Sequence, residues 1–447
     1  MLDRRLLRDD PDGVRAILAR RGEEYASLVD RFLEDDGLRR ATQTELDDRR
    51  SLKNSVSKRI GEYMKAGERE QAEGEKARLQ GLDAQMAELE QRLSEYERLD
   101  REILLAMPNL PHESVPLGGE EHAEVVKTWG EPRSFDFPPL DHVALVERLK
   151  LVSFEAGARL AGSGFPVFHG AGALLQRALI NLMLDTHVQQ HSYTELRPPF
   201  IVHPRCAEGT GQLPKFGSEM YHVYVEGVPA PQGTTGPHFY MIPTAEVPVV
   251  NYYREQILEA PELPIKLCAY SPCWRVEAGS YGKEARGLTR VHQFEKVELV
   301  RFADPQRSYS DLEEMTGEAE RILEPLGLAY RRKVLPTGDM TFASAKTYDI
   351  DVYCPAEQAW REVSSASNTT DYQARRAGIR FRRERGGKPE FLHILNASGL
   401  ALPRLMIALL ETYQTAEGSV RLPEALHKYM PAEWHVIEPS SGGAPFV

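Results

Sequence analysis

Cysteine is scarce. The 447 residues hold four, Cys206, Cys268, Cys273 and Cys354, and no two form a C-x-x-C pair. No histidine cluster has zinc spacing either. Neither a disulfide framework nor a zinc site is expected, and the thiols read as reduced in a cytoplasmic protein. Long apolar runs are missing too: nothing approaches the roughly 18 residues of a membrane span. The opening Met1-Leu2-Asp3-Arg4-Arg5 has no apolar signal core. Proline is absent from about residue 28 to 105, which leaves room for uninterrupted helix.

A basic excess is also lacking. The net charge is −12, which taken alone argues against a nucleic-acid partner. The charge is unevenly spread. Residues 37–65 carry eight Lys or Arg (39, 40, 49, 50, 53, 58, 59 and 65) against four acids, whereas residues 68–105 carry six against eleven. In the acidic stretch Leu79, Leu82, Met86, Leu89, Leu93 and Tyr96 recur at alternating spacings of three and four, the seam of a heptad helix. Leu46, Val56, Ile60 and Tyr63 form a weaker stripe, and Ala66-Gly67 separates the two. An antiparallel helical hairpin is expected over about 28–105, each helix about 40–55 Å long. It reads either as a spacer or dimerisation coiled coil, or as an arm whose basic helix meets nucleic acid.

Pro108, Pro111, Pro116 and Gly118-Gly119, then Pro132, Pro138 and Pro139, mark a linker and entry segment over 108–140. Mixed helix and strand signals then describe one large domain over 141–436, followed by a flexible tail, 437–447. Residues 227–237 read as a surface loop. The expected organisation is therefore α+β: a helical hairpin within an N-terminal domain, 1–107, followed by an antiparallel sheet flanked by helices.

Residues 271–300 carry the most chemistry. An apolar run ends in Arg275 and Glu277, a Gly-rich charged loop follows, and the chain returns as a strand. On that strand Phe294, Lys296, Glu298 and Val300 alternate onto one face. This predicts an antiparallel hairpin whose charged face suits a small anion. Four other segments are weaker. Ala171–Gln190 reads as an amphipathic helix, followed by a short edge or interface strand, Tyr193–Leu196, and Pro198-Pro199. Thr244 and Glu246 either hold an ammonium group or cap a helix. Glu362 beside a Ser-rich turn, 363–368, offers hard oxygen ligands or is merely a polar turn. Leu392–Asn396 predicts a strand leading into a helix over 397–411, with Arg404 near its start, where an anion is favoured.

In this order the segments resemble the three motifs of class II aminoacyl-tRNA synthetases. The stretches Thr244-Ala245-Glu246, Arg361-Glu362-Val363-Ser364-Ser365, Asn396-Ala397-Ser398-Gly399-Leu400 and Thr210-Gly211-Gln212-Leu213-Pro214-Lys215-Phe216, with the helical arm, narrow the resemblance to seryl-tRNA synthetases, over nearly the whole chain. The resemblance implies ATP-dependent activation of L-serine to an adenylate, then transfer to the 3′ end of tRNA(Ser), and of tRNA(Sec) as well. It implies a homodimer with no membrane association, and Mg2+ as cofactor. Arg275 would bridge the serine carboxylate and the α-phosphate, and Arg404 would meet the γ-phosphate. Glu362 and Ser365 would hold Mg2+; Glu362, Arg275 and Arg404 form the catalytic set. Thr244, Ala245, Glu246, Glu298, Asn396 and Ser398 would surround serine, with Glu298 on its hydroxyl. Val276, Glu277, Val291, Phe294, Val363 and Ser364 would complete the ATP site, with Phe294 stacked on adenine. Arg39, Arg40, Arg49, Arg50, Lys53, Lys58 and Arg59 would contact tRNA.

The chain departs from the family pattern at Trp274, where phenylalanine is usual, and at Pro403, where glycine is usual. Two other readings stand beside the main one: a pathway-specific paralogue supplying activated serine or seryl-tRNA, and an inactive RNA-binding scaffold.

Overall fold

The computed structural model describes residues 1–227, 236–277 and 286–439. Most of the expected loop 227–237, most of the loop from Gly279 to Gly287 and the segment 440–447 lie outside the described residues. The chain divides into two units, Met1–Pro108 and the remainder from Asn109. No described helix is long and apolar enough to cross a membrane.

The first unit opens with two short helices, Arg4–Asp9 and Pro11–Ala19, before the long helices α1 (Glu23–Ala66) and α2 (Arg69–Ala106). The helix α1 begins earlier than the periodicity predicts, because Gly22 ends the preceding segment and Glu23 and Glu24 occupy the first turn, where carboxylates oppose the helix dipole. At 1.5 Å per residue it is about 66 Å long, beyond the expected range. The turn forms at Gly67, whose φ of 81° is a left-handed C-cap, and its N–H bonds the Met64 carbonyl. Leu82 and Leu89 of the heptad seam are buried, against Leu46 and Val56 of α1 being buried on theirs.

Polar contacts set the helix pairing. Arg50 meets Glu90 at 3.0 Å, Lys53 meets Asp83 at 2.7 Å and Arg59 meets Glu75 at 3.1 Å. Partners retreat along α2 as the cations advance along α1, so the helices are antiparallel. Near the base, Asp36 and Asp100 are fully buried. Arg39 forms ion pairs with both, at 2.8 and 3.2 Å, while Arg8 and Arg40 also reach Asp36 and Arg4 reaches Asp100. Burial works against the Asp36 charge, but Arg39, Arg8 and Arg40 hold its carboxyl below the usual range.

The second unit is built on an eight-stranded sheet. In chain order its strands are β1 (Glu124–Trp129), β2 (Thr194–Glu195), β3 (Ile265–Trp274), β4 (Gln293–Ala303), β5 (Tyr330–Val334), β6 (Lys346–Cys354), β7 (Ala359–Asn368) and β8 (His393–Ala401). They lie in the order β1-β5-β6-β7-β8-β4-β3-β2. All pairs are antiparallel except β2 with β3. The prolines after β2 keep it at an edge, as expected, while β1 forms the other edge from within the segment read as linker.

The helices α3 (Ala171–Gln190), α4 (Glu246–Val250), α5 (Ser308–Leu323) and α6 (Leu402–Tyr413) flank this sheet. Alternation along β4 assigns its faces. Val297, Leu299 and Ala303 enter the large core shared with α3, α5 and α6, while Val300 and Phe302 enter a second apolar cluster with Val249, Val250, Phe381 and Ile394. Phe294, Lys296 and Glu298 share the parity of Val300, so they open onto the second face.

Three local readings are corrected. Residues 363–368 form part of β7 rather than a turn, because they pair with both β6 and β8. Ala397–Ala401 continue β8, and the helix begins only at Leu402, with Pro403 in its first turn, where its missing N–H costs nothing. Strand β3 ends at Trp274, so Arg275 and Glu277 lie just beyond it. The Arg275 N–H still bonds the His292 carbonyl at 2.9 Å, but Glu277 takes a φ of 49° and leaves the ladder.

Candidate active site

A cavity of about 770 Å³ opens on the second face of the sheet. Strand pairing explains which side chains reach it. Glu298 lies opposite Ser398 and Val300 opposite Asn396, so Glu298, Ser398 and Asn396 share a face. On β6 and β7, Asp349 lies opposite Ser365 and Asp351 opposite Glu362, with a register shift between them. Glu362 and Ser365 are three apart, a spacing that puts residues of a regular strand on opposite faces. The bulge at Val363 adds one residue and turns Glu362 to the side of Ser365.

One end of the cavity is closely hydrogen-bonded. Thr244 Oγ1 donates to Glu298 Oε2 at 2.9 Å, and Lys296 Nζ meets the same oxygen at 2.5 Å. Lys296 Nζ also donates to Thr244 Oγ1 at 2.9 Å. The Glu246 N–H donates to Thr244 Oγ1 at 3.2 Å, but the N-cap of α4 is Ala245, without a side-chain cap bond, so Thr244 lines the cavity and is not the helix cap. Glu246 Oε1 accepts from Gln373 Nε2 at 2.6 Å and from Asn396 Nδ2 at 3.2 Å. Burial first, and the Glu298 charge second, push the Glu246 carboxyl up to about 7.

The middle and far end differ in charge. Arg275 forms no ion pair among the described residues. Its Nε donates to the Pro243 carbonyl at 3.3 Å, and its guanidinium carbon lies 5.1 Å from the Phe294 ring centroid. Glu277 Oε2 accepts from Arg290 at 3.2 Å. Arg404, at the start of α6, donates to the Glu362 carbonyl at 3.0 Å and reaches its carboxylate at 3.3 Å. Asp349 is buried, and its Oδ1 has no hydrogen-bond partner among the described residues. Burial, then the nearby Glu362 charge, hold its carboxyl well above the usual range. Glu362, Ser365 and Asp349 thus offer three oxygens on one face, one of them orphaned. This donor set suits a hard divalent cation.

Of the residues predicted from sequence, Thr244, Glu246, Arg275, Glu277, Glu298, Glu362, Ser365, Asn396, Ser398 and Arg404 line this cavity, and Val291, Phe294 and Val363 line the pocket beside Arg404. Three others are turned elsewhere. The Ala245 side chain is buried in the second apolar cluster, Ser364 Oγ donates to the Ser398 carbonyl at 2.6 Å, and Val276 bonds the Glu219 carbonyl through its N–H. Lys296, Gln373 and Asp349 were not assigned roles from sequence, yet each bonds or adjoins an assigned residue. For Lys296 the signal was present in the alternation of β4. For Gln373 there was none, since it meets Glu246 across 127 positions.

Comparison with known proteins agrees with this architecture. Residues 1–111 match the model of the seryl-tRNA synthetase N-terminal domain, and residues 233–413 match the tRNA synthetase class II core domain (G, H, P, S and T). The serine--tRNA ligase of Geobacter sulfurreducens is 47% identical over 96% of this chain and 98% of its own length. That of Pelotomaculum thermopropionicum is 49% identical over the same shares. Among solved structures, the Pyrococcus horikoshii seryl-tRNA synthetase complexed with ATP has a TM-score of 0.89 and 33% identity, covering 99% of this chain and 100% of that one. With relatives this similar along nearly its whole length, the chain belongs to the seryl-tRNA synthetase family.

Proposed function

We propose that this chain is a serine--tRNA ligase that activates L-serine with ATP and passes the seryl group to tRNA(Ser), and to tRNA(Sec), as a cytoplasmic homodimer. The observation that carries the reading is Arg275. Its guanidinium, which forms no ion pair among the described residues, lines the cavity together with Glu246, Glu298, Glu277 and Arg404.

In the first step a serine carboxylate oxygen attacks the α-phosphorus, the bond to the bridging oxygen breaks, and pyrophosphate leaves. No protein nucleophile is needed, so the chain contributes position and charge. Glu246 pairs with the serine ammonium, and Glu298 accepts from its hydroxyl. Arg275 touches carboxylate and phosphate together, as a planar fork can. Glu277 and Phe294 bind the adenine, and Arg404 holds the terminal phosphate. In the second step a ribose hydroxyl of the tRNA attacks the acyl carbon, and AMP leaves. Glu362 and Ser365, with Asp349 beside them, would hold Mg2+, which when bound neutralises charge on the phosphate oxygens. Serine-dependent ATP–pyrophosphate exchange, followed by charging of total tRNA, tests the whole reading. Exchange without charging would favour a different acyl acceptor, and absence of both an inactive scaffold.

The Glu246 carboxyl sets a pH dependence. Only its ionised form pairs with an ammonium group, and its pKa in the free enzyme is raised to about 7. Serine binding is therefore expected to strengthen as pH rises, by about tenfold per unit below 7, and to level off above it. Calorimetric titration with L-serine from pH 5.5 to 8.5 measures this. Glu246→Gln should bind weakly and without the slope; a flat profile in the unsubstituted enzyme refutes the assignment.

The basic face of α1 is proposed to bind tRNA phosphates. Arg39 is removed from that set, since it holds two buried carboxylates. Arg49, Arg50, Lys53 and Arg59 are partly exposed, and their pairs near the surface are worth only about 0–1 kcal/mol each, little enough to exchange for phosphate; Arg40 is exposed as well but also pairs with the buried Asp36. Lys58 is exposed. Charge reversal at Arg49, Arg50 and Lys53 is expected to weaken tRNA charging by roughly tenfold or more and leave exchange intact. Neutral glutamine variants should lower the salt slope by about three. Unchanged charging would exclude this face.

A further inference from the structure

Strand β8 is irregular where it passes the serine pocket. Lys296 lies opposite Ala401 and Glu298 opposite Ser398, so three steps on β8 answer two on β4. The extra residue falls at Gly399-Leu400. A bulge interrupts the ladder, and a buried carbonyl there needs another donor. On the next carbonyl back, that of Ser398, the donor is Ser364 Oγ at 2.6 Å. At Gly399 it comes from the opposite side of the strand: His187 Nε2 of α3 lies 3.4 Å from the carbonyl oxygen. There is no space for a side chain at Gly399. An added Cβ would stand 2.9 Å from His187 Nε2 and 3.1 Å from Leu299 Cγ.

His187 is the end of a chain whose direction can be assigned. Arg321 Nε lies 3.0 Å from His191 Nε2. An arginine only donates, so this ring nitrogen of His191 carries no proton. Neutral His191 then has its proton on Nδ1, which lies 3.1 Å from His187 Nδ1. His187 accepts there and keeps its own proton on Nε2, aimed at the Gly399 carbonyl. Both rings are buried. Burial and the neighbouring imidazole push His187 down to about 3, and burial first, with Arg321 among the later causes, lowers His191, so both stay neutral.

We propose that His187 and His191 are positioning residues for the amino-acid pocket: a donor chain from Arg321 through both imidazoles to the Gly399 carbonyl fixes the bulge that presents Ser398 opposite Glu298. This rests on the reading of Asn396, Ser398 and Glu298 as the serine pocket. Neither histidine faces the cavity, and neither touches substrate.

Two measurements test it. In the unsubstituted enzyme with 15N-labelled histidine, His191 is expected as the Nδ1–H tautomer and His187 as the Nε2–H tautomer; a charged or Nε2-protonated His191 overturns the chain. In pyrophosphate exchange, His187→Leu should raise the KM for serine about tenfold while leaving the KM for ATP unchanged, and His187→Gln, which keeps a donor at the Nε2 position, should restore it to within about threefold. Equal losses for both substrates, or no rescue by glutamine, would mean a merely structural role. Ser398→Ala separates the two layers. If it raises the serine KM and His187→Leu does not, the relay is wrong and the pocket stands. If Ser398→Ala has no effect on that KM, the pocket is misassigned and the proposal falls with it.

Discussion

Arg275→Ala is expected to lower serine-dependent ATP–pyrophosphate exchange by about 10²–10³-fold, the range seen when one preorganised donor to developing charge is removed. The guanidinium forms no ion pair among the described residues. Its charge is therefore available to the ligands rather than spent within the protein. Little folding stability should be lost, because among the described residues the side chain makes one carbonyl hydrogen bond and one aromatic contact. Arg275→Lys keeps the charge but not the fork, so it should recover only part of the rate. Melting temperature and exchange rate measured on the same preparations separate the two effects. An alanine variant that stays within a few-fold of the parent rate would remove Arg275 from the reacting centre.

Glu298→Gln is expected to reduce kcat/KM for serine by roughly 10- to 160-fold, the loss of about 1.5–3 kcal/mol from one charge-assisted hydrogen bond. Its effect on ATP should be small. Glutamine is the informative substitution. Alanine would leave the Lys296 ammonium buried with neither a charge nor an acceptor at that position, at about 3–5 kcal/mol of stability, and the loss of activity would then be ambiguous, whereas glutamine keeps an amide oxygen there as an acceptor. On this assignment alanine is expected to be activated poorly, because it would leave Glu298 and Ser398 facing no hydroxyl. In the Glu298→Gln enzyme the ratio of serine to alanine activation should fall along with the serine rate. A parent-like ratio would assign the hydroxyl to another residue.

Local period explains which features were legible. The β3–β4 hairpin could be read from alternation because each residue on β4 faces one of two media, core or cavity, and the pattern repeats every second position. The heptad seam of α2 and the break at Gly67 were legible for the same reason: burial and conformational freedom are properties of single residues at fixed spacing. Residues 363–368 were misread as a turn because serine and asparagine favour turns in isolation, and 397–401 as the start of a helix because they run without a break into α6, whereas strand pairing holds both segments in the sheet. Tertiary pairing overrides weak local preference.

Composition, spacing and the order of three short motifs determined the class of this protein, its helical arm and ten of the side chains that line its cavity. Tertiary structure alone decided how they meet. The bulge at Val363 brings Glu362 beside Ser365, the bulge at Gly399-Leu400 sets Ser398 opposite Glu298, and Gln373 reaches Glu246 from a distant helix. It also turned Arg39 from a surface cation into the clamp on Asp36 and Asp100. The physical reason is common to all four. A strand's register, and the partner of a buried charge, depend on chain segments far apart in sequence, and no local period records them.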